Sequence, residues 1–160
     1  MNPTKNDLKE SVRSTAAAEL NHRLADLIDL RLQAKQAHWN VKGPHFIGLH
    51  LLFVEVFKVV EPLVDDVAER IAALGGVVEG TLEAVSGRTA LSSYPLKATA
   101  GRAHVAAMSD ALAKAAAGCR KSIDKLDEFG DAGSADLLTQ AVRELDKQLW
   151  FVETHLQGES

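Results

Sequence analysis

Four side chains in the first half of the sequence have the chemistry of metal ligands: the histidines His38 and His50 and the acids Asp65 and Glu69. Asp65 and Glu69 are four residues apart, so on a helix their carboxylates share one face and can bind the same cation. Imidazole and carboxylate together suit iron or zinc. The sequence therefore predicts a metal site built from these four residues.

The spacing of these residues does not allow one helix to gather them. His50 precedes Asp65 by fifteen residues, which is about 22 Å along a helix and far beyond one coordination sphere. If a second copy lies antiparallel across a two-fold axis near Phe57 and Lys58, His50 of one copy falls opposite Asp65 of the other, and two identical sites form. His38, at the end of the preceding helix, can reach the same place. A dimer is the simplest arrangement that gives the four residues a common role.

Each candidate ligand also has an ordinary structural explanation. A histidine near a helix end, such as His38, often caps the helix or packs, and the neighbouring Trp39 is most simply a core or interface aromatic. Asp65 and Glu69 equally suit a solvated helix face. His50 is harder to explain in this way, because it interrupts an apolar segment and a buried imidazole needs partners for its nitrogens.

Other chemical motifs are weaker. Glu19 and His22 form a single Glu-x-x-His element, whereas di-iron bundles of that type need two such elements and two further glutamates. Cys119 is the only cysteine, which excludes a disulfide framework and a thiolate zinc site and favours an intracellular protein. The sequence contains no glycine-rich phosphate loop, nucleophile elbow or CxxC pair.

The composition favours a soluble helical domain. Of the 160 residues, 46% are hydrophobic, 25% are charged and only 5% are aromatic. The formal net charge of −4 gives no electrostatic reason to bind nucleic acid. The sequence also contains no cluster of basic residues, so strong DNA binding is not expected. The N-terminus lacks a signal-peptide core, and the most apolar run, residues 46–60, is too short to cross a bilayer.

The first predicted helix must place His38. It begins at Asp7, after a loose tail of residues 1–6, and has no internal glycine or proline. Gly43 is a good C-cap for it, and Pro44 suits the first turn of the helix that follows.

The second predicted helix, from about Pro44 to Leu74, is apolar on two sides. Its core face carries nine residues at helical spacing: Leu49, Leu52, Phe53, Val56, Val60, Leu63, Val67, Ile71 and Leu74. Its other side carries Leu51, Val54 and Phe57. A helix that is apolar nearly all round must be covered on two sides, which argues for a partner subunit.

A long crossover separates the two halves of the predicted bundle. Residues 77–96 contain no long helix, although Thr81 can cap a short one that extends to Val85 or Ser86. A connection of this length suits a ferritin-like four-helix bundle.

The last two predicted helices complete an all-α domain that covers residues 7–158. One runs from about Thr99 to Glu128 and is stopped by Gly130, and the other is capped by Asp131 or Ser134.

These residues resemble the Dps family, the mini-ferritins named for protection of DNA in starved cells. The resemblance covers nearly the whole chain and rests on His38-Trp39-Asn40, Gly43, Phe46, His50, Asp65-x-x-Ala68-Glu69-Arg70, Leu74-Gly75-Gly76, Ser93-Tyr94-Pro95-Leu96 and Asp146-Lys147-x-x-Trp150-Phe151. It implies a ferritin-like four-helix bundle with a short helix in the crossover, assembled as a hollow dodecamer in the cytoplasm, free or at the nucleoid.

The resemblance also implies a ferroxidase. In this family ferrous iron is oxidised between two-fold-related subunits, preferentially by hydrogen peroxide, and ferric mineral is stored in the cavity, which limits oxidative damage. The family's ligands correspond to His38 and His50 of one subunit and Asp65 and Glu69 of the other, with zinc as an alternative occupant and Trp39 in support. Acidic residues near the start of the last helix line the pores through which iron enters, and the candidates here are Asp131 and Asp136.

One position departs from the family pattern. Members normally carry an aspartate four residues after the second histidine, where this chain has Val54, which cannot bind a metal. The second iron is therefore expected to bind weakly and the ferroxidase to be slow. Glu55 lies about 100° round the helix from Val54 and is a poor substitute, whereas Glu61 of the opposed helix is a better one. The alternative is a degenerate member that keeps the shell for a structural or DNA-associated role, without redox turnover.

Overall fold

The computed structural model describes residues 1–157 and folds them into a bundle of long helices. Its elements are α1 (Glu10–Asn40), α2 (Phe46–Ala73), α3 (Leu82–Arg88), α4 (Gly101–Phe129), α5 (Ala132–Glu153) and a short 3-10 helix (Thr154–Leu156). The predicted all-α four-helix bundle with a short helix in the crossover is confirmed. The predicted domain end at 158 lies outside the described residues, and none of the helices within them has the length and apolarity needed to span a membrane.

The bundle consists of two helix pairs joined face to face. α1 packs on α2 and α4 packs on α5, while α1 also contacts α4 and the short α3. The core between them contains Leu20, Leu24, Leu27, Phe53, Val56, Val60, Met108, Leu112, Leu138 and Leu145, each with 1% or less of its surface exposed. Each large apolar side chain buried in this way contributes about 1.5–3 kcal/mol, so these apolar faces hold the bundle together.

α1 begins three residues later than predicted. The side-chain oxygen of Asn6 accepts the backbone N–H of Leu8 at 3.0 Å, which holds this segment in a local turn that competes with helix formation. Helical structure therefore starts at Glu10 and not at Asp7. Near the same end of the bundle, the N–H of Asn2 donates to the carbonyl of Gly75 at 2.6 Å.

The link between α1 and α2 also differs from the prediction. α1 ends at Asn40 with Val41 as its extended C-cap, so Gly43 is not the cap. Gly43 has a φ of +113°, a conformation that favours glycine, and forms the turn into α2. Between them the N–H of Lys42 donates to the carbonyl of Thr99 at 3.0 Å. This bond ties the start of α2 to the start of α4.

The predicted caps of the later helices are confirmed. Thr81 accepts the N–H of Ala84 at the start of α3, although the helix continues to Arg88 and not only to Ser86. Gly130 ends α4 in the left-handed conformation, with a φ of +87°. Of the two residues that can cap α5, Asp131 takes this role.

Candidate metal site

His38 and His50 form a stacked pair where the end of α1 meets the first turns of α2. Their ring centroids are 3.7 Å apart and the rings are inclined by 24°. His38 Nδ1 lies 2.7 Å from the backbone oxygen of His50, and His50 Nδ1 lies 2.9 Å from that of His38. Because a carbonyl oxygen only accepts, both Nδ1 atoms must carry the hydrogen. In the neutral rings the lone pair is then on Nε2, which can bind a metal.

An exposed apolar surface surrounds the stacked pair. Trp39, next to His38, is 66% exposed and Leu51 is 54% exposed. Trp39 is therefore not a core residue in a single chain. Phe46 and Ile47, at the start of α2, are also exposed. Apolar residues clustered in this way typically mark an interface with another protein, as the two-sided apolar pattern of this helix predicts.

Asp65 and Glu69 lie on the exposed side of α2, further along the helix. Neither carboxylate forms a hydrogen bond or ion pair with any part of the chain that the structure describes. Within residues 1–157, no three His, Cys, Asp or Glu side chains of one chain come close enough to hold a metal ion. The structure thus pairs the two histidines but does not bring them to the two acids, so the shared site between two chains stays a prediction.

Val54 occupies the half-buried position one turn after His50, on the same side of α2. The next residue, Glu55, is exposed, and its Oε1 lies 2.5 Å from Nζ of Lys58. To replace the missing aspartate, Glu55 would have to break its ion pair with Lys58 and reorient its side chain.

Glu61, the other candidate substitute, is also paired within its own chain. Its Oε2 lies 2.9 Å from Nη1 of Arg31, which reaches across from α1. Arg31 and Glu61 line a shallow surface pocket together with Asp65. The rest of its lining comes from Pro62, Val64 and Ala68 of the same helix. The guanidinium of Arg31 therefore lies near a predicted ligand, where its charge opposes the binding of a cation.

The two candidates for an acidic pore lie in different surroundings. Asp131 is 1% exposed. Its Oδ1 accepts hydrogen bonds from Arg70 Nη2 at 2.7 Å and from the N–H of Ser134 at 3.1 Å, while its Oδ2 accepts from Ser134 Oγ at 2.5 Å. This carboxylate caps α5 and forms a partly buried ion pair with Arg70. Asp136 is exposed and is the one of the two whose carboxylate reaches solvent.

The Glu-x-x-His element has a structural explanation. Glu19 accepts hydrogen bonds from Ser122 Oγ at 2.6 Å and from Lys125 Nζ at 3.0 Å. Burial raises the pKa of Glu19, but these donors outweigh burial and the pKa is lowered. Glu19 therefore stays ionised and joins α1 to α4.

One polar pair, formed by Tyr94 and His104, was not predicted from the sequence. Tyr94 Oη lies 2.6 Å from His104 Nδ1, and His104 is only 1% exposed. Burial lowers the pKa of His104 and raises the pKa of the Tyr94 phenol, so both groups are neutral and the phenol donates to Nδ1. The single signal in the sequence was the histidine one turn before Met108 on an apolar stripe, which does not identify its partner.

Comparison with known proteins finds similar sequences and similar structures over nearly the whole chain. Residues 17–159 match the ferritin family, described as a ferritin-like domain. The DNA protection during starvation protein of Agrobacterium fabrum is 45% identical over 157 residues, covering 98% of this chain and 97% of that protein. The structure of Mycobacterium smegmatis Dps in its tetragonal form has a TM-score of 0.93 at 36% identity, covering 98% and 96% of the two chains. Dps from Microbacterium arborescens in the high iron form has a TM-score of 0.84 at 30% identity, covering 92% and 95%.

Proposed function

Because the chain belongs to the Dps family of ferritin-like proteins, we propose that it oxidises ferrous iron at sites shared between two subunits and stores the ferric product inside a hollow homo-oligomer, a dodecamer. Removal of ferrous iron and of its oxidant would protect the cell from oxidative damage. The ligands are His38 and His50 of one subunit with Asp65 and Glu69 of the next.

One observation carries this proposal: each chain offers two incomplete halves of a metal site. The stacked histidines have both Nδ1 atoms bonded to backbone carbonyls, which leaves Nε2 for a metal. The acids Asp65 and Glu69 are exposed and form no ion pair with the rest of the described chain. Exposed carboxylates without partners in the second half of α2, and an exposed apolar surface around the histidines at its start, are what an antiparallel second copy would cover.

Iron is the metal that fits best. The donor set of two imidazoles and two carboxylates suits ferrous iron, and one relative is known in a high iron form. Zinc accepts the same donors, but these relatives give it no support. The protein would supply orientation and a dry interface, while the iron supplies the electrons and is itself the substrate.

The site should hold its first iron well and its second weakly. Val54 cannot bind a metal. The two carboxylates that could replace the missing aspartate, Glu55 and Glu61, are paired with Lys58 and Arg31. Each would have to give up a cation before it bound another. Without another electron donor, turnover depends on how often a second ferrous ion arrives while the first is held.

Stopped-flow oxidation of ferrous iron by hydrogen peroxide tests the proposal. In the double variant His38→Ala, Asp65→Ala we expect the initial rate to fall by at least about a hundredfold, since loss even of residues that only support metal ligands typically costs 10–100-fold. The matched control is His22→Ala, Asp66→Ala, which removes the same residue types from exposed positions on the same two helices. Equal rates in the wild type and the ligand variant would remove these residues from the site.

The alternative, a shell with a DNA-associated role and no redox turnover, is tested in parallel. Relatives carry the name DNA protection, but the net charge of −4 disfavours contact with a polyanion. We expect no retardation of duplex DNA in a gel shift at low salt, together with growth of an iron core. Retardation without an iron core would favour the alternative.

A further inference from the structure

Tyr94 and His104 form a hydrogen-bonded pair that the metal site does not use. The 2.6 Å bond from the phenol to Nδ1 is short for its type, and the two rings lie nearly parallel, with centroids 5.9 Å apart. Tyr94 is the only tyrosine in the chain. It belongs to the crossover, whereas His104 lies in the first turn of α4, so the bond joins two separate elements.

Two apolar side chains would also join the crossover to α4. His104 is 1% exposed, and its Nε2 has no partner in hydrogen-bond geometry within residues 1–157, although the backbone carbonyls of Ala98 and Asn40 lie close enough to raise the pKa of the ring against the effect of burial. What the imidazole adds is a base that can take the phenolic proton at once, without a change of structure.

His104 lies close to two residues that follow the stacked histidines in the chain. The backbone carbonyl of Asn40, two residues after His38, is close enough to His104 to affect its pKa. The ring of Phe53, one helical turn after His50, has its centroid 6.3 Å from that of His104. The bond between Lys42 and Thr99 fixes this end of α4 against the α1–α2 link. The buried side chains of His104 and Phe53 therefore link Tyr94 to the segment of α2 that carries His50.

An electron donor at this place would solve a problem that Val54 creates. Reduction of hydrogen peroxide to two waters takes two electrons, and one ferrous ion supplies one. A site that holds a single iron would break the peroxide bond with one electron only and release a hydroxyl radical. A second electron from the protein would prevent that release.

We propose that Tyr94 is this second donor and that His104 holds its proton, an inference that rests on the proposed ferroxidase function. One Fe²⁺, Tyr94–OH, neutral His104, H₂O₂ and two protons from solvent give Fe³⁺, the Tyr94 phenoxyl radical, protonated His104 and two waters. The O–O bond is broken, and Fe²⁺ and tyrosine lose one electron each. A later Fe²⁺ returns an electron to the radical, and His104 returns the proton. Two ferrous ions are then consumed per peroxide, although they need not be bound together.

The proton transfer is what the geometry favours most clearly. A phenol that loses an electron and keeps its proton becomes a cation, which is costly in a buried environment. With His104 Nδ1 already accepting the hydrogen bond, the proton moves along it as the electron leaves. His104 thus acts through Tyr94 and is a positioning residue, not a ligand of the iron.

The test is freeze-quench electron paramagnetic resonance on the assembled protein. Shells loaded without oxygen with one Fe²⁺ per site are mixed with hydrogen peroxide. We expect a tyrosyl signal that changes width with deuterated tyrosine, which separates it from radicals on Trp39 and Trp150. In Tyr94→Phe the tyrosyl signal should disappear and hydroxyl radical, measured by a spin trap, should rise. The His104→Gln variant keeps an acceptor for the phenol but cannot hold its proton, so formation of the radical should slow by about a hundredfold.

Controls separate this inference from the ferroxidase proposal. The His155→Gln variant changes an exposed histidine and should leave both the radical and the spin trap at the wild-type level. In the iron-free shell, flash photolysis with a ruthenium oxidant should still produce the tyrosyl radical, more slowly in His104→Gln. Iron oxidised normally with no tyrosyl signal and no change in Tyr94→Phe would overturn the inference alone. Absence of iron oxidation in the wild type would overturn the ferroxidase proposal, and the donor role with it.

Discussion

Glu69 and Arg70 are neighbours on α2, yet their side chains lie in opposite kinds of surroundings. Arg70 donates to Asp131 at 2.7 Å and to Ser134 at 2.9 Å, and Asp131 is almost fully buried. Glu69 is exposed and has neither a hydrogen bond nor an ion pair to any described residue of its own chain. Charged side chains that stabilise the subunit therefore form ion pairs within it, whereas the carboxylates proposed to bind iron are exposed and unpaired within the described chain.

Removal of Asp131 tests the role of the buried carboxylate. We expect Asp131→Ala to destabilise the subunit by about 3–5 kcal/mol, because it leaves Arg70 with an uncompensated charge and α5 without its cap. Denaturation monitored by circular dichroism measures this loss. Iron oxidation per folded shell should stay at the wild-type rate.

The matched control for Asp131 is Asp136→Ala, at an exposed position of the same helix, where we expect a change within about 0.5 kcal/mol. If Asp131→Ala were as stable as the control but took up iron slowly, Asp131 would belong to the functional surface and the comparison would fail.

A carboxylate introduced at position 54 tests the proposed metal site. Val54→Asp adds a ligand one turn after His50, so we expect a second iron per site and an oxidation rate at least about tenfold higher. Isothermal titration under anaerobic conditions counts the bound iron, and stopped-flow absorbance gives the rate. Val54→Thr, which keeps the branched shape without a charge, is the control.

No gain in either quantity from Val54→Asp would show that another group already fills the position. Glu61 would then be the first candidate, released from Arg31 when iron binds.

The smallest expected effect concerns pH and the buried histidine. Burial lowers the pKa of His104 in the folded protein, so below about pH 6.5, the ordinary value for histidine, the unfolded chain binds a proton that the folded one does not. Stability is therefore full above that pH and falls as the pH drops, by at most about 1.4 kcal/mol per pH unit for one group.

Unfolding free energies of the wild type and His104→Gln, compared between pH 7 and pH 5, measure this contribution. The variant should lose less stability over this range than the wild type. Parallel curves would mean that His104 does not contribute to the pH dependence.

The sequence predicted the elements well where the signal is local. The apolar stripe of α2, the cap at Thr81 and the stop at Gly130 each depend on residues within one or two turns, and the structure confirms them. The prediction that Gly43 caps α1 was wrong. The chain leaves the helix at Val41, and the N–H of Lys42 bonds to Thr99, which is distant in the sequence. Local pattern cannot show such a contact.

The candidate site was predictable in its residue types but not in its detailed geometry. The separation of His50 from Asp65 already indicated that one chain could not join them. The reciprocal bonds that fix both imidazoles, and the burial of Asp131 against Arg70, depend on side chains that meet across helices. The same is true of Tyr94 and His104, whose pairing depends on the path of the crossover.

Complementation between inactive subunits tests most directly whether two chains share each site. One variant carries His38→Ala with His50→Ala, and the other carries Asp65→Ala with Glu69→Ala; each alone should be inactive in peroxide-driven iron oxidation. In shells reassembled from an equal mixture, one site in each mixed dimer has all four ligands, so we expect about a quarter of the wild-type activity for random two-fold pairing. A mixture as inactive as its parents, with mixed shells confirmed by native mass spectrometry, would contradict the shared site.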